Sequence, residues 1–151
     1  FSIPLTEVTT TYVRFFGSYS SRITGVIFNC KPPILRGEAI SIYGDGQQTR
    51  DFTFISDCVA ANLAAAKVPE SVGEIFNIGG GSRVALAEVI QTMESIVDRP
   101  IRINYLESSK GDARDTSADA SKAQKILGYQ PQVSLREGLR QEWEWVQSLY
   151  G

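Results

Sequence analysis

Histidine is absent from all 151 residues. Serine–histidine and cysteine–histidine nucleophile pairs are therefore excluded, and so is any metal held by imidazole. Cysteine is scarce, with Cys30 and Cys58 the only two. That is too few for a disulfide framework and fits a reducing, cytoplasmic setting. No apolar run approaches the roughly 20 residues of a membrane span, and no cleavable signal pattern is visible. A large excess of one charge is also missing. The net charge of −2 gives no reason to expect nucleic acid or a membrane surface as partner. The chain opens on Phe1 rather than methionine, which reads naturally as a piece of a longer gene product.

What is present is ordinary for a globular chain: 42% hydrophobic and 21% charged residues, enough for one domain with a real core. The stretch Ile40 to Asp57, ISIYGDGQQTRDFTFISD, organises the rest. Strand-like runs at Ile40–Tyr43 and Thr49–Ile55 flank Gly44-Asp45-Gly46-Gln47-Gln48. Asp-Gly between apolar runs predicts a hairpin, because tight turns need backbone angles that these residues tolerate. Asp57 is expected to N-cap an alanine-rich helix from Cys58 to Lys67 with Val59, Leu63 and Ala66 on one face. Pro69 closes that helix.

Upstream, Thr9 to Phe16 is rich in β-branched and aromatic residues and predicts a strand. Gly17 to Thr24 reads as a loop. A helix over Val26 to Leu35 is expected to be broken or shortened by Pro32-Pro33 and to end near Gly37. Downstream, Glu74–Ile78 predicts a short buried strand, and the glycines 79–81 a tight turn. Leu86, Val89, Ile90, Met93, Ile96 and Val97 form an apolar stripe that predicts a helix from Leu86 to about Val97. Ala85 is a poor cap for it. Ile101–Leu106 alternates as a strand, and Glu107 to Ala118 reads as loop. Asp119 is expected to cap a helix over Ala120–Leu127 that ends at Gly128. Ser134-Leu135-Arg136-Glu137 reads as a capping box for a last helix with Leu135, Leu139, Trp143 and Val146 inward.

Four segments, in order, resemble a known family: IYGDGQQTRDFTFISD, GEIFNIGGGSRVAL at 73–86, GDARDTSADASKAQKILGY at 111–129 and PQVSLREGLRQEWEWV at 131–146. Together they are similar to the C-terminal half of the NAD-dependent sugar-nucleotide epimerases and dehydratases, the extended short-chain dehydrogenase/reductase family. The resemblance covers roughly residues 34 to 146. It implies an α/β fold, the substrate-binding portion of an extended Rossmann-type enzyme, with short strands and about four helices. It also implies a parent chemistry: transient oxidation of a sugar carbon by NAD, then epimerisation, elimination or decarboxylation. A UDP-sugar is the leading substrate class, with dTDP- and GDP-sugars open. The segment Gly17-Ser18-Tyr19-Ser20-Ser21-Arg22 departs from the Tyr-Gly-Pro-Arg-like turn usual in the family, which puts any contact made by that turn in doubt.

Four residues are candidates for the substrate site. Arg50 offers a planar fork of donors that matches phosphate oxygens, and the resemblance assigns it to the sugar-nucleotide diphosphate. The alternative is a surface arginine paired with Asp45 or Asp51. Asp112 and Arg114 are assigned to the ribose hydroxyls and the diphosphate; the alternative is a solvated loop held by local turns. Tyr43 resembles a residue that lies against the base, or is simply a core aromatic. A calcium loop from Asp112, Asp115 and Asp119 fails on spacing and on the missing glycine.

Two features of the family are not in this sequence. No tyrosine has a lysine four residues on, so the catalytic base and its activating charge are missing. No G-x-G-x-x-G fingerprint is present either, since the third glycine position after Gly79 and Gly81 is Val84. NAD is therefore not expected to bind this chain alone, and the chain alone is not expected to be catalytic. A detached piece would expose the surface that packs on a cofactor half, inviting self-association or a partner chain. A stand-alone binding or interaction module is the rival reading.

Overall fold

The computed structural model describes residues 33–81, 83–108 and 113–150, and the backbone of 12–15. Asp112, Cys30, the loop over 17–24 and the start of the helix expected over 26–35 lie outside the described residues. Among those described are six short strands and four helices, besides a helical segment at 33–36. The strands are β1 (Tyr12–Phe15), β2 (Ile40–Tyr43), β3 (Thr49–Asp51), β4 (Ile75–Ile78), β5 (Arg83–Ala85) and β6 (Ile103–Leu106). The helices are α1 (Ile55–Lys67), α2 (Leu86–Val97), α3 (Ser121–Leu127) and α4 (Leu135–Tyr150). A 3₁₀ turn, Pro69–Ser71, follows α1.

The strands pair two by two. β1 runs parallel to β4, β2 parallel to β6, and β3 antiparallel to β5. The expected hairpin is therefore wrong. The turn after β2 forms, with Gly44 and Gly46 at φ of 78° and 76°, but the two strands it joins diverge. Ile40 pairs with Ile103 and Arg50 with Val84. The turn signal was local; the strands take distant partners. The strand expected over Thr49–Ile55 stops at Asp51, and α1 begins at Ile55. β5, Arg83–Ala85, has no counterpart among the strands expected from the sequence.

Asp57 is not an N-cap. Phe54 holds that position, with no side-chain cap bond. Asp57 sits in the first turn of α1, buried, and its carboxylate accepts from the backbone N–H of Gln132 at 3.1 Å and of Val133 at 3.3 Å. The buried face of α1 is also not the expected one. Cys58, Ala61 and Ala65 point inward, whereas Val59 and Leu63 stay about half exposed and Ala66 is exposed. Small residues let α1 lie close to α3 and β4, and the larger ones are left on the outside.

Other elements follow the pattern read in the sequence. Residues 33–36 are helical and end at Gly37, φ 71°. Glu38 N–H bonds the Pro33 carbonyl and Gly37 N–H the Ile34 carbonyl, a Schellman closure. α2 spans the predicted residues. Its uncapped start is served from afar: Leu86 N–H bonds the Gln48 carbonyl and Ala87 N–H the Gly46 carbonyl. The Asp119 carboxylate accepts from Ser121 N–H at 3.0 Å, although Ala120 is the capping position of α3, and Gly128 ends that helix at φ 65°. Ser134 Oγ accepts from Glu137 N–H at 3.3 Å, half of the capping box. The Glu137 carboxylate turns to Arg140 and Gln141.

Two cores result. One gathers Ile40, Ile42, Val89, Met93, Leu139 and Trp143 between β2, α2 and α4. The other gathers Ala61, Phe76, Ile78, Ala123, Leu127 and Tyr129 between α1, β4 and α3. β3 and the glycine turn after β4 meet between them. Gly79 and Gly80 are required there: a Cβ on Gly79 would lie 2.3 Å from Asp51 Oδ2, and one on Gly80 would lie 1.8 Å from the Phe52 carbonyl oxygen.

Candidate functional site

β3 carries three consecutive polar residues, and each is used differently. Thr49 pairs on one side with Ala85 of β5 and on the other with Asp115, through a single parallel bridge. Its N–H donates to the Arg114 carbonyl at 2.9 Å, and Thr116 N–H donates back to the Thr49 carbonyl at 3.1 Å. Its hydroxyl donates to the Asp115 carboxylate. Arg50 is buried, only 5% exposed. Its Nη1 donates to the Thr49 carbonyl at 2.8 Å and to the Arg114 carbonyl at 3.1 Å. Asp51 is buried as well, and its Oδ2 accepts from Ala118 N–H at 3.3 Å. Strand β3 thus binds the segment 114–118 along its length.

Three of the four sequence candidates fall within this arrangement or beside it. Arg50 lies inside and is no surface arginine. Arg114 lies on the outside, its side chain 68% exposed, with Nη2 3.5 Å from Asp45 Oδ2. Tyr43 ends β2, opposite Leu106 of β6, and is exposed rather than core. Gln48 Nε2 donates to the Tyr43 carbonyl at 2.9 Å, tying β2 to the residue just before β3. Asp112 lies outside the described residues. For the site, the sequence marks Asp115 only as part of a rejected calcium loop and Thr49 not at all, although Thr49 stands within the Gln-Thr-Arg-Asp motif that points to Arg50.

The outer edge carries an exposed ion pair between Arg114 and Asp45. The Asp45 carboxyl is held below its ordinary value, first by the Gln47 N–H, which donates at 2.9 Å, and further by the nearby Arg114 charge. Asp45 therefore stays ionised near neutrality and holds Arg114 loosely in an exposed pair. Such pairs are weak in water and exchange readily for a stronger anion. A guanidinium with a fixed main chain and a solvent-reachable fork is suited to phosphate or carboxylate.

The glycine turn at 79–81 does not suit a dinucleotide. A phosphate cradle needs open backbone N–H groups facing a cavity. Here Gly79 and Gly80 press against the Asp51 carboxylate and the Phe52 carbonyl, both of which would repel a phosphate. A cavity of about 80 Å³ lies elsewhere, between residues 52–54 and the start of α4, lined by Phe52, Phe54, Val133, Leu135 and Gly138 among others. It is small and carries none of the candidate residues. Among the described residues no cluster of Cys, Asp and Glu could hold a metal ion, and no helix is long and apolar enough to cross a membrane.

Comparison with known proteins gives the arrangement a context. The family model described as GDP-mannose 4,6 dehydratase matches residues 6–142. UDP-glucuronate 4-epimerase of Thermodesulfobacterium geofontis is 36% identical over 137 residues, which are 88% of this chain and 42% of that protein. UDP-glucuronic acid decarboxylase 2 of Arabidopsis thaliana is 34% identical over 130 residues, 83% of this chain and 29% of that protein. The crystal structure of UDP-glucuronic acid 4-epimerase from Bacillus cereus, in complex with UDP-glucuronic acid and NAD, superposes with a TM-score of 0.84. The identity is 35%, over 91% of this chain and 45% of that one. The chain spans less than half the length of each of these relatives.

Proposed function

From the premise that the chain belongs to the NAD-dependent sugar-nucleotide epimerase and dehydratase family, we propose that it forms the substrate-binding portion of such an enzyme and grips a UDP-sugar by its diphosphate. The observation that carries this reading is the joining of two arginines. Arg50 holds the main chain of Arg114 from within, and Arg114 presents its guanidinium to solvent. A buried guanidinium beneath the loop and an exposed one upon it supply two positive charges for the two phosphates of a nucleoside diphosphate. Tyr43, exposed at the end of β2, is the surface for the base. Asp112 is assigned to the ribose hydroxyls by its position in Gly-Asp-Ala-Arg. The UDP-sugars named for the relatives support uridine as the base.

The reading makes residues 1–151 a single substrate-binding domain whose NAD-binding complement is not in this sequence. The family's nicotinamide cofactor supplies reversible oxidation of the sugar when bound. The glycine turn at 79–81 offers that cofactor no phosphate cradle. Their work is to bind and orient: Arg50 and Arg114 fix the diphosphate, and a fixed diphosphate limits where the attached sugar can lie.

A second reading, a non-catalytic interaction module, draws on the outer face of α1. Ile55, Val59 and Leu63 are exposed there at successive helical turns. That stripe suits a cofactor-binding half, or a second copy of the chain. The few cysteines support a cytoplasmic setting for either reading.

Calorimetric titration with UDP-glucuronate and UDP-glucose, with NAD as control, tests the proposal. Binding of a UDP-sugar but not of NAD is expected. Binding of NAD alone would overturn it, and binding of neither would favour the module.

A further inference from the structure

Arg114 has a fixed base and a reachable head. Its carbonyl receives two donors, Thr49 N–H at 2.9 Å and Arg50 Nη1 at 3.1 Å, while its side chain extends to solvent. What decides which residue of this segment occupies that place is less obvious. The segment joins β3 through one bridge, Thr49 to Asp115, rather than through a ladder. Two backbone bonds are a weak specification of register, because every residue offers the same N–H and carbonyl. A slip of one residue along an extended segment exchanges its two faces. Arg114 and Asp115 would then trade sides, and a carboxylate would stand where the guanidinium belongs. The backbone alone does not distinguish these arrangements.

The Thr49 side chain does. Its hydroxyl donates to the Asp115 carboxylate, a bond that a slipped Arg114 or Thr116 could not accept with the same charge assistance. Opposite charges then sort to opposite places: Asp115 is latched to Thr49, and Arg114 turns toward Asp45. We propose that Thr49 is a positioning residue, whose hydroxyl locks the register of residues 114–116 on β3 and so sets where the Arg114 guanidinium meets a diphosphate. The inference rests on the reading of Arg114 as a diphosphate ligand. Thr49 acts through Arg114 and touches no substrate itself.

The test titrates the chain with UDP, and separately with uridine, in five forms: wild type, Thr49→Val, Thr49→Ser, Arg114→Ala and the Thr49→Val/Arg114→Ala double variant. Valine keeps the β-branched shape and removes only the hydroxyl; serine keeps the hydroxyl. Thr49→Val is expected to weaken UDP by about tenfold, the worth of one lost charge-assisted bond, and to leave uridine unchanged. Thr49→Ser is expected to stay within about twofold of wild type. In the Arg114→Ala background, Thr49→Val is expected to cost nothing further. Thermal unfolding of each variant and the exchange rate of the Thr116 amide report folding and register without ligand.

Wild-type UDP affinity in Thr49→Val overturns the inference, and so does a double variant that loses the sum of both effects. A fall in uridine affinity equal to that in UDP overturns it too, because a general loss of structure would act on both. If Arg114→Ala binds UDP like wild type, or the wild-type chain binds no UDP, the reading of the site fails and this inference falls with it. If Arg114→Ala weakens binding and Thr49→Val does not, the inference alone fails.

Discussion

Arg50 reaches Arg114 through the main chain: its Nη1 donates to the Arg114 carbonyl at 3.1 Å. A buried arginine spent partly on backbone carbonyls has two roles at once. It organises the loop that carries the second arginine, and it adds positive charge beneath that loop. Replacing it therefore acts twice. Arg50→Ala is expected to remove one of the two donors from each of the Thr49 and Arg114 carbonyls, at about 1–3 kcal/mol of stability for the two bonds, and to weaken UDP-sugar binding by at least about tenfold. Arg50→Lys keeps the charge but not the fork, so it should recover part of the affinity and less of the stability. Calorimetry and thermal unfolding read the two effects separately. Unchanged UDP-sugar affinity in Arg50→Ala would remove Arg50 from the site.

The Tyr129 phenol gives the fold an alkaline limit. It is buried and donates to the Gly79 carbonyl at 2.8 Å. Burial first, and then the proximity of Asp57, Cys58 and Asp51, raises its pKa above the ordinary phenol value. In the unfolded chain the phenol ionises near pH 10. Below that pH neither state loses the proton, and the stabilisation is complete. Above it the unfolded state gains by ionising while the folded state does not, so stability falls as pH rises toward the folded pKa. Tyr129→Phe is expected to cost about 1 kcal/mol near neutrality and to show a shallower alkaline decline. Urea unfolding at about pH 8 and pH 11 measures both slopes; equal slopes would show that another group sets the limit.

The glycine turn offers a contrast between two kinds of glycine. A methyl at Gly80 would collide with the Phe52 carbonyl, whereas one at Gly37 would meet nothing and suffer only its φ of 71°. Gly80→Ala is expected to cost more than about 3 kcal/mol, because backbone must move at the junction of the two cores. Gly37→Ala is expected to cost about 1 kcal/mol. Thermal unfolding of the pair checks the ranking. A Gly80→Ala variant as stable as Gly37→Ala would mean that the close approach of residues 52 and 80 is not maintained.

What the sequence disclosed follows the range of the forces involved. Helix α2 was legible to the residue because Leu86, Val89, Ile90 and Met93 repeat at helical spacing, a local signal. The hairpin misled because Gly44-Asp45-Gly46 specifies a turn but not the partners of the strands it joins, and β2 and β3 pair with β6 and β5. Asp57 misled for a related reason. An acidic residue at a helix start looks the same whether it caps its own helix or, as here, accepts from Gln132 and Val133 far along the chain. On α1, periodicity found the stripe of Val59 and Leu63 but could not say that the alanines, not the large residues, face inward. In the candidate site, the family pattern points to Arg50 and Arg114. Their joining through a carbonyl, and the place of Thr49 between β5 and Asp115, depend on contacts that no local pattern encodes.

The outer face of α1 bears on what the chain does in solution. Val59 is 50% exposed and Leu63 is 55% exposed, one turn apart on the same face, with Ile55 a turn before. Apolar stripes of this kind associate when nothing covers them. The chain is therefore expected to self-associate in a concentration-dependent way when no cofactor-binding half is supplied. Val59→Lys/Leu63→Glu should abolish the association and leave the melting temperature nearly unchanged, since both positions face water and touch neither core. Surface changes of this type typically shift stability by less than about 0.5 kcal/mol. Sedimentation velocity across a concentration series, on the wild type and the double variant, decides the matter. A wild-type chain that stays monomeric throughout would show that the stripe does not drive self-association. If the double variant associates as the wild type does, the contact lies on another face.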